Sequence, residues 1–386
     1  MRKTYAFKLC DSKKNELLAA RIDAASQIYN HCIALHKRYY RMTGKHLNGY
    51  RLSGHIAKLR HRPEYSDWTL VGSQAVQDVV ERIDRGYGLF FDYVKAKKKG
   101  KTSSRRVAPP TFKKRAKYKS FTLKQAGFKF TNDGVVIIHG RKYRYFNSRP
   151  IEGELKTLTV KRDTVGDMHI FLSCEIQQPE IKRAMTGKTA GFDFGLKTFL
   201  VSSDNTEFQA PLFFKKGIAE IKKRGKALSR KKKGSKNRRE AKRQLAQTHI
   251  DIANRRRDYH FKLARELCSR YDAMYFEDLD IKGMQQRWGR KVSDIGFSQF
   301  MGILGHVANQ TGATVTKIDR YFPSSKTCSV CGWVDHDLSI KDRHWTCGGC
   351  KTKHDRDKNA AANIHTVGAS TAKLDGIRPA ELAIVI

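Results

Sequence analysis

Acidic residues are scarce in this sequence: 37 Asp plus Glu stand against 77 Lys plus Arg, a formal net charge of +40 over 386 residues. Such an excess goes far beyond what solubility requires and points to a polyanionic partner, of which nucleic acid is the commonest. No apolar run approaches the roughly 18 residues that a membrane-spanning helix needs, and no charged-then-apolar leader opens the chain. The expectation is a soluble, unexported protein with no membrane partner. A disulfide framework is also missing. Cys10, Cys32, Cys174 and Cys268 are scattered singly in apolar or helical contexts and read as free thiols in a reducing compartment. No internal repeat is apparent, and the length exceeds a usual single core, so two or three domains are expected.

What is present begins with "KTYAFKLC", which alternates like a strand. A long stretch follows in which Leu18, Ile22, Ala25, Tyr29, Cys32 and Ile33 recur at helical spacing. A second amphipathic stretch carries Val76, Val79, Val80, Ile83, Tyr87, Phe90, Phe91 and Val94 on one stripe. Residues 95–119 hold 12 basic and no acidic residues, which reads as a linker or an arm tracking a nucleic-acid backbone. Beyond it, "YKSFTL", "FKFTNDGVVII", "YRYF", "LKTLTVKR" and "DMHIFLSCEIQ" read as strands joined by turns. A β-barrel or sandwich is expected, completed by the N-terminal strand, with the helices inserted between strands. A new domain opens near Gly187 with the hairpin "TAGFDFGLKTFLVSSDN", to which "EFQAP" adds a third strand. Residues 215–257 then hold 18 Lys or Arg against Glu220, Glu240 and Asp251. A one-signed excess of this kind fits a helix lining nucleic acid, and a merely solvated face is its rival. A strand at "AMYFEDLDI", a helix ending at Gly312 and a strand at "TVTKID" complete the pattern.

Two CxxC knuckles, Cys328 with Cys331 and Cys347 with Cys350, supply four thiolates for one tetrahedral ion, the pattern of a structural zinc ribbon. Four ligands close the site and leave no position for a substrate. Catalysis then has to lie elsewhere, and carboxylates inside apolar strands are the place to look. In "GFDFG", Phe192 and Phe194 share a face and Asp193 stands alone on the other. In "AMYFEDL", Met274 and Phe276 share a face while Tyr275 and Glu277 share the opposite one. Such acids are costly to desolvate without a compensating cation or donor. Either alone is explained by an edge strand facing water. Asp357 starts a helix after the ribbon, where capping by it or by Asp355 is the plain explanation. Together, an Asp on a first strand, a Glu on a fourth and an Asp on a late helix follow the order of an RNase H-like carboxylate triad. Carboxylates are the ligands that hard Mg²⁺ prefers, and two such ions serve phosphodiester hydrolysis.

"GFDFGLKTFLVSSDN", "YFEDLDIKGM", "YFPSSKTCSVCG" and "HDRDKNAAANI" resemble the signatures of the RuvC-like domain of transposon-encoded TnpB proteins, relatives of type V CRISPR effectors. The likeness is specific over residues 187–366 and weaker upstream, where "SQAVQ", "FFDYV", "PPTFKKR" and "YKSFTL" keep the family's order. The resemblance implies an RNA-guided DNA endonuclease with one Mg²⁺-dependent RuvC site, in the cytoplasm of a prokaryote and associated with its nucleoid. Asp193, Glu277 and Asp357 carry over as catalytic Mg²⁺ ligands, and the four clustered cysteines as the holders of one structural Zn²⁺. Glu277 rather than Asp278, and Asp357 rather than Asp355, follows from motif position. The first turn, "CDSKKN", lacks the proline common there.

The implied architecture is an α+β multidomain chain. Residues 1–12 begin a wedge β-barrel, 13–100 form a helical recognition bundle, 101–186 complete the barrel, and 187–386 form an RNase H-like α/β domain with a zinc ribbon inserted at 322–354. The partners are a transposon-derived guide RNA, target double-stranded DNA and its displaced single strand, and a monomer is favoured. Lys113, Lys114, Arg115, Lys222, Lys223, Arg224, Arg230, Lys231, Lys232, Arg238, Arg239, Lys242 and Arg243 are the candidate phosphate contacts. Gln77 and Thr122 match family positions near the adjacent motif, where Gln pairs with adenine edges and Thr meets a thymine methyl. A repressor that has lost cleavage, and a transposase that joins strands without RNA, are the alternatives. The intact acids speak against the first, and ribonuclease sensitivity separates the second.

Overall fold

The computed structural model describes residues 2–100, 106–131, 133–177, 184–209, 212–339 and 341–374. The chain separates into two compact units, Met1–Gln178 and Pro179–Ile386. No described helix is long and apolar enough to cross a membrane. The fold is the expected multidomain mixture of helix and sheet.

In the first unit, strand β1 (Arg2–Lys8) is followed by helices α1 (Asn15–Thr43), α2 (Gly49–Leu59) and α3 (Ser73–Lys98). Strands β2 (Ser120–Leu123), β3 (Phe128–Thr131), β4 (Val135–Ile138), β5 (Arg141–Arg144), β6 (Glu154–Arg162) and β7 (Met168–Glu175) come after them. β1 pairs antiparallel with β7 from Arg2–Glu175 to Lys8–His169, so the N-terminal strand does join strands from beyond the helices. The sheets are β1-β7-β6-β2 and β3-β4-β5, linked by a bridge between Leu9 and Tyr145. Among the described residues no continuous ladder closes them into a barrel. The helical stripes read from the sequence are buried from Leu18 to Ile33 and from Val76 to Tyr87, whereas Phe91 is 38% exposed. Arg115 binds Asp23 Oδ2 at 2.6 Å and Arg162 binds Asp23 Oδ1 at 2.8 Å, tying the basic arm and β6 to α1.

The second unit is built on a five-stranded sheet. β8 (Thr189–Phe194), β9 (Thr198–Ser202) and β10 (Glu207–Gln209) form an antiparallel meander. Two helices, α4 (Phe213–Ser229) and α5 (Lys236–Arg270), lead to β11 (Ala273–Glu277). Short helices α6 (Ile281–Trp288) and α7 (Arg290–Ile295) precede α8 (Phe297–Thr311) and β12 (Thr314–Ile318), and the last elements are β13 (His344–Thr346), β14 (Lys353–Asp355) and α9 (Arg356–Leu374). The strand order is β10-β9-β8-β11-β12, with β11 parallel to both β8 and β12. The two faces divide by the alternation of side chains. Phe192, Met274 and Phe276 enter a core with Leu263, Leu267, Phe300 and Leu304 of α5 and α8. Ala273 and Tyr275 face the other way and pack with Ile364 of α9.

Two glycines let α9 lie against the sheet. A Cβ on Gly191 would stand 2.3 Å from the His365 amide nitrogen, and one on Gly368 would stand 2.3 Å from the Tyr275 ring. Glycine is what this close backbone approach requires.

Candidate active site

The candidate acids lie where helix α9 covers the sheet. β8 and β11 run in parallel register with Phe192 beside Phe276, so Asp193 and Glu277 are the next residues along at the strand ends. Asp357, in the first turn of α9, lines the same cavity, which has a volume of about 1090 Å³. Three acids from two strands and a helix thus share one pocket. Lys197, Lys215, Lys326, Lys341, Arg343 and Arg356 also line it, so an acidic floor sits within basic walls.

Burial raises the Asp193 carboxyl to about 8, with repulsion from Glu277 and Asp357 added and Arg356 pulling the other way. Burial also raises Glu277, against a hydrogen bond from the Ser324 hydroxyl that lowers it. Both shifts arise first from burial, which disfavours the charged carboxylate. Asp357 lies 3.4 Å from Arg356 and 3.8 Å from Arg343. The neighbouring acids have other work. Asp278 pairs with Lys317 at 3.0 Å and with Arg320. Asp355 Oδ1 accepts from the amides of Asp357 and Lys358, both at 3.0 Å, and so caps α9. An all-carboxylate donor set suits a hard divalent cation.

Cys328, Cys331, Cys347 and Cys350 bring their sulfurs within 4.8 Å of one another, and among the described residues this is the one such cluster of His, Cys, Asp or Glu. Cys328–Cys350 at 3.6 Å and Cys331–Cys347 at 3.5 Å match the roughly 3.8 Å sulfur–sulfur edge that a Zn–S bond of about 2.3 Å sets in a tetrahedron. The Thr352 hydroxyl and backbone lower the Cys350 thiol to about 6. The cluster fits a zinc ribbon.

Polar side chains that sequence reasoning missed connect this ribbon to the acids. Asn359 and Asn363 both donate to the Thr327 carbonyl, at 2.7 and 2.6 Å, and Asn363 donates to the Ser324 carbonyl at 2.7 Å. Asn359 Oδ1 accepts from the Ser329 amide at 2.9 Å. The two asparagines stand four apart in "NAAAN", on one face of α9. Polar residues at that spacing between alanines were the available signal.

The candidate nucleic-acid contacts divide by what they touch. Lys114, Lys222, Lys223, Arg230, Lys231, Lys232, Arg239 and Lys242 are exposed. Arg224 instead bonds Glu220 at 2.6 Å and the Gln244 carbonyl at 3.0 Å. Arg238 donates to the carbonyls of Leu228 and Lys231, both at 2.8 Å. These two arginines hold the α4–α5 hairpin together, as Arg115 holds the arm. Arg243 lies on the exposed part of α5. Lys113 lies over the Tyr29 ring at 4.7 Å. Gln77 is exposed on α3. The next residue, Asp78, accepts from the Thr122 amide at 3.0 Å, and the Thr122 hydroxyl meets Arg82 at 3.1 Å and Thr159 at 2.9 Å.

Known proteins resemble this chain in sequence and in fold. The OrfB_IS605 family model, described as a probable transposase, matches residues 171–287. The Cas12f1-like TNB domain model matches residues 297–364. The chain is similar in sequence to TnpB-like proteins of Acanthamoeba polyphaga mimivirus, at 27% identity over 58% of its length. A Streptomyces pristinaespiralis protein named as an RNA-guided DNA endonuclease is 28% identical over 91% of this chain and 86% of its own. InsQ of Escherichia coli K12, named likewise, is 23% identical over 88% and 86%. Among solved structures, Cas12f1 in its complex with sgRNA and target DNA aligns at TM-score 0.57 and 16% identity, over 92% of this chain and 83% of that one. The mini-RNA-guided endonuclease CRISPR-Cas_phi3 aligns at TM-score 0.50 and 10% identity, over 95% and 92%. At such identities the structural likeness concerns the fold.

Proposed function

We propose that this protein is an RNA-guided DNA endonuclease of a transposable element that hydrolyses phosphodiesters at one Mg²⁺-dependent site formed by Asp193, Glu277 and Asp357. The observation that carries the reading is that these three acids, from β8, β11 and α9, line one pocket with basic walls. The five-strand order with its antiparallel meander and two parallel strands supports the RNase H-like assignment. When bound, two Mg²⁺ ions supply activation of water and neutralisation of charge on the leaving oxygen. The chain's own residues do the rest. Asp193 and Glu277, at adjacent strand ends, fix two anionic ligands at a set spacing. Asp357, in the first turn of a helix that Asp355 caps, supplies a third. Arg343, Arg356 and Lys326 draw the scissile phosphate against the acids and offset its charge.

In this reading the four cysteines hold one structural Zn²⁺, and guide RNA pairing supplies sequence specificity. The exposed cations of α4 and α5 hold nucleic-acid backbone, target duplex and displaced strand included. Gln77 and Thr122 contribute to reading the adjacent motif. Residues 1–12 and 101–186 form the wedge, 13–100 the recognition helices, and 187–386 the nuclease with its ribbon at 322–354. The protein acts as a monomer in a prokaryotic cytoplasm, at the nucleoid. A transposase acting without RNA is the second reading, favoured by the description of the OrfB_IS605 model. Sequencing the RNA that copurifies with the expressed protein tests the choice. One RNA species carrying a variable segment that directs cleavage supports the nuclease, whereas ribonuclease-resistant strand joining would replace it.

A further inference from the structure

We infer that Ser324 is a positioning residue for Glu277, held in place by an Asn359–Asn363 clamp that couples the zinc ribbon and helix α9 to the nuclease site. The inference rests on the reading of the three acids as a cation site. The Ser324 hydroxyl donates to Glu277 Oε1, which engages one carboxylate oxygen and leaves the other for a cation. Ser324 is 4% exposed, Asn359 3% and Asn363 6%, so these bonds form away from competing water and their loss leaves unpaired buried groups.

The loop bearing Ser324 is itself a tight turn. The Lys326 and Thr327 amides both bond the Pro323 carbonyl at 3.0 Å, and the turn runs directly into Cys328. Asn363 fastens the Ser324 carbonyl, both asparagines fasten the Thr327 carbonyl, and Asn359 accepts from Ser329. Asn359 lies two residues after Asp357. One helix therefore carries Asp357 and, through two amide side chains and a serine, also fixes the ligand that β11 supplies. Glu277 and Asp357 keep their spacing because both are referred to α9. Partners behind a metal ligand typically change affinity by 10- to 100-fold when removed.

The test is Mn²⁺ binding to the zinc-loaded, RNA-free full chain, followed by the electron paramagnetic resonance signal of free Mn²⁺. Ser324→Ala should weaken binding about tenfold or more, while zinc content stays at one per chain. Ser324→Thr, which keeps the hydroxyl, should stay within about threefold of wild type. Asn363→Asp turns a donor into an acceptor facing two carbonyls, and it should weaken Mn²⁺ binding as Ser324→Ala does, which keeps the test decisive if the alanine variant folds poorly. Wild-type affinity in both Ser324→Ala and Asn363→Asp, or a Thr variant as impaired as the Ala one, overturns the positioning role. A wild type that binds Mn²⁺ no better than Asp193→Ala overturns the cation site itself, a separate failure.

Discussion

Asp193→Asn should stabilise the protein at alkaline pH when Mg²⁺ is absent. The native carboxyl sits at about 8, against about 3.9 in an unfolded chain. The folded state thus holds the proton more tightly, so the contribution of this group is fully present below about pH 4 and lost as pH rises through about 8. Four pKa units at about 1.4 kcal/mol each set a ceiling of about 5 to 6 kcal/mol. Asp193 is half-buried in an open cavity, and solvent screening brings the expected gain for Asn down to about 2 kcal/mol at pH 8.5. For a domain of this size that is roughly 4–8 °C in Tm. The assay is thermal unfolding at pH 5, 7 and 8.5 in Mg²⁺-free buffer without a chelator, which leaves zinc in place. The gap should be small at pH 5 and widen with pH. Added Mg²⁺ should raise the Tm of the wild type and move the variant far less. A gap that does not change with pH would mean that the Asp193 carboxyl is not raised in the folded protein.

Three other outcomes are expected. Cys347→Ser should lower zinc content on elemental analysis and reduce cleavage indirectly, because the ribbon loop carries Ser324 and docks on α9; a zinc-free wild type prepared without chelator would sink the ribbon. Neutralising Lys222, Lys223, Arg239 and Lys242 together should flatten the salt dependence of nucleic-acid binding, whereas Arg224→Ala should chiefly lower stability, by about 1 kcal/mol, since it removes the bond from α4 to the Gln244 carbonyl of α5. Gln77→Ala should alter motif preference in a randomised-flank cleavage assay, and an unchanged preference removes Gln77 from the recognition surface.

Much of the second unit was legible because its signals are local. The period-two alternation in "GFDFG" and "AMYFE" separates Phe192 and Phe276, which stack at 5.0 Å, from the acids on the opposite face. The CxxC spacing carries its geometry with it. Asp357 and Asp355 are indistinguishable by composition, and only the cap bonds show that Asp355 serves the helix. Ser324 was not legible. Its partners lie 47 and 39 residues away in sequence, and nothing local marks a serine that will face a carboxylate. The cations are not told apart by sequence either. Arg224 and Arg238 look like their neighbours until the hairpin forms and turns them toward carbonyls. In the first unit, strand pairing was readable from alternation, but closure into a barrel depends on edges that alternation does not encode.

Reprogramming asks whether a guide RNA directs the cut. The wild-type protein is assembled with a guide RNA whose variable segment has been replaced, and given a supercoiled plasmid bearing the new target beside a randomised flank, in Mg²⁺. Both strands should be cut at the new target, dependent on a short flank motif, and ribonuclease treatment before assembly should abolish the cutting. Asp193→Ala should bind the target with wild-type affinity and cut neither strand, because the carboxylates act on the reacting phosphate while backbone contacts and base pairing hold the DNA. Cutting that follows no guide, or a normal rate of nicking by Asp193→Ala, would contradict a single RNA-guided site at Asp193, Glu277 and Asp357.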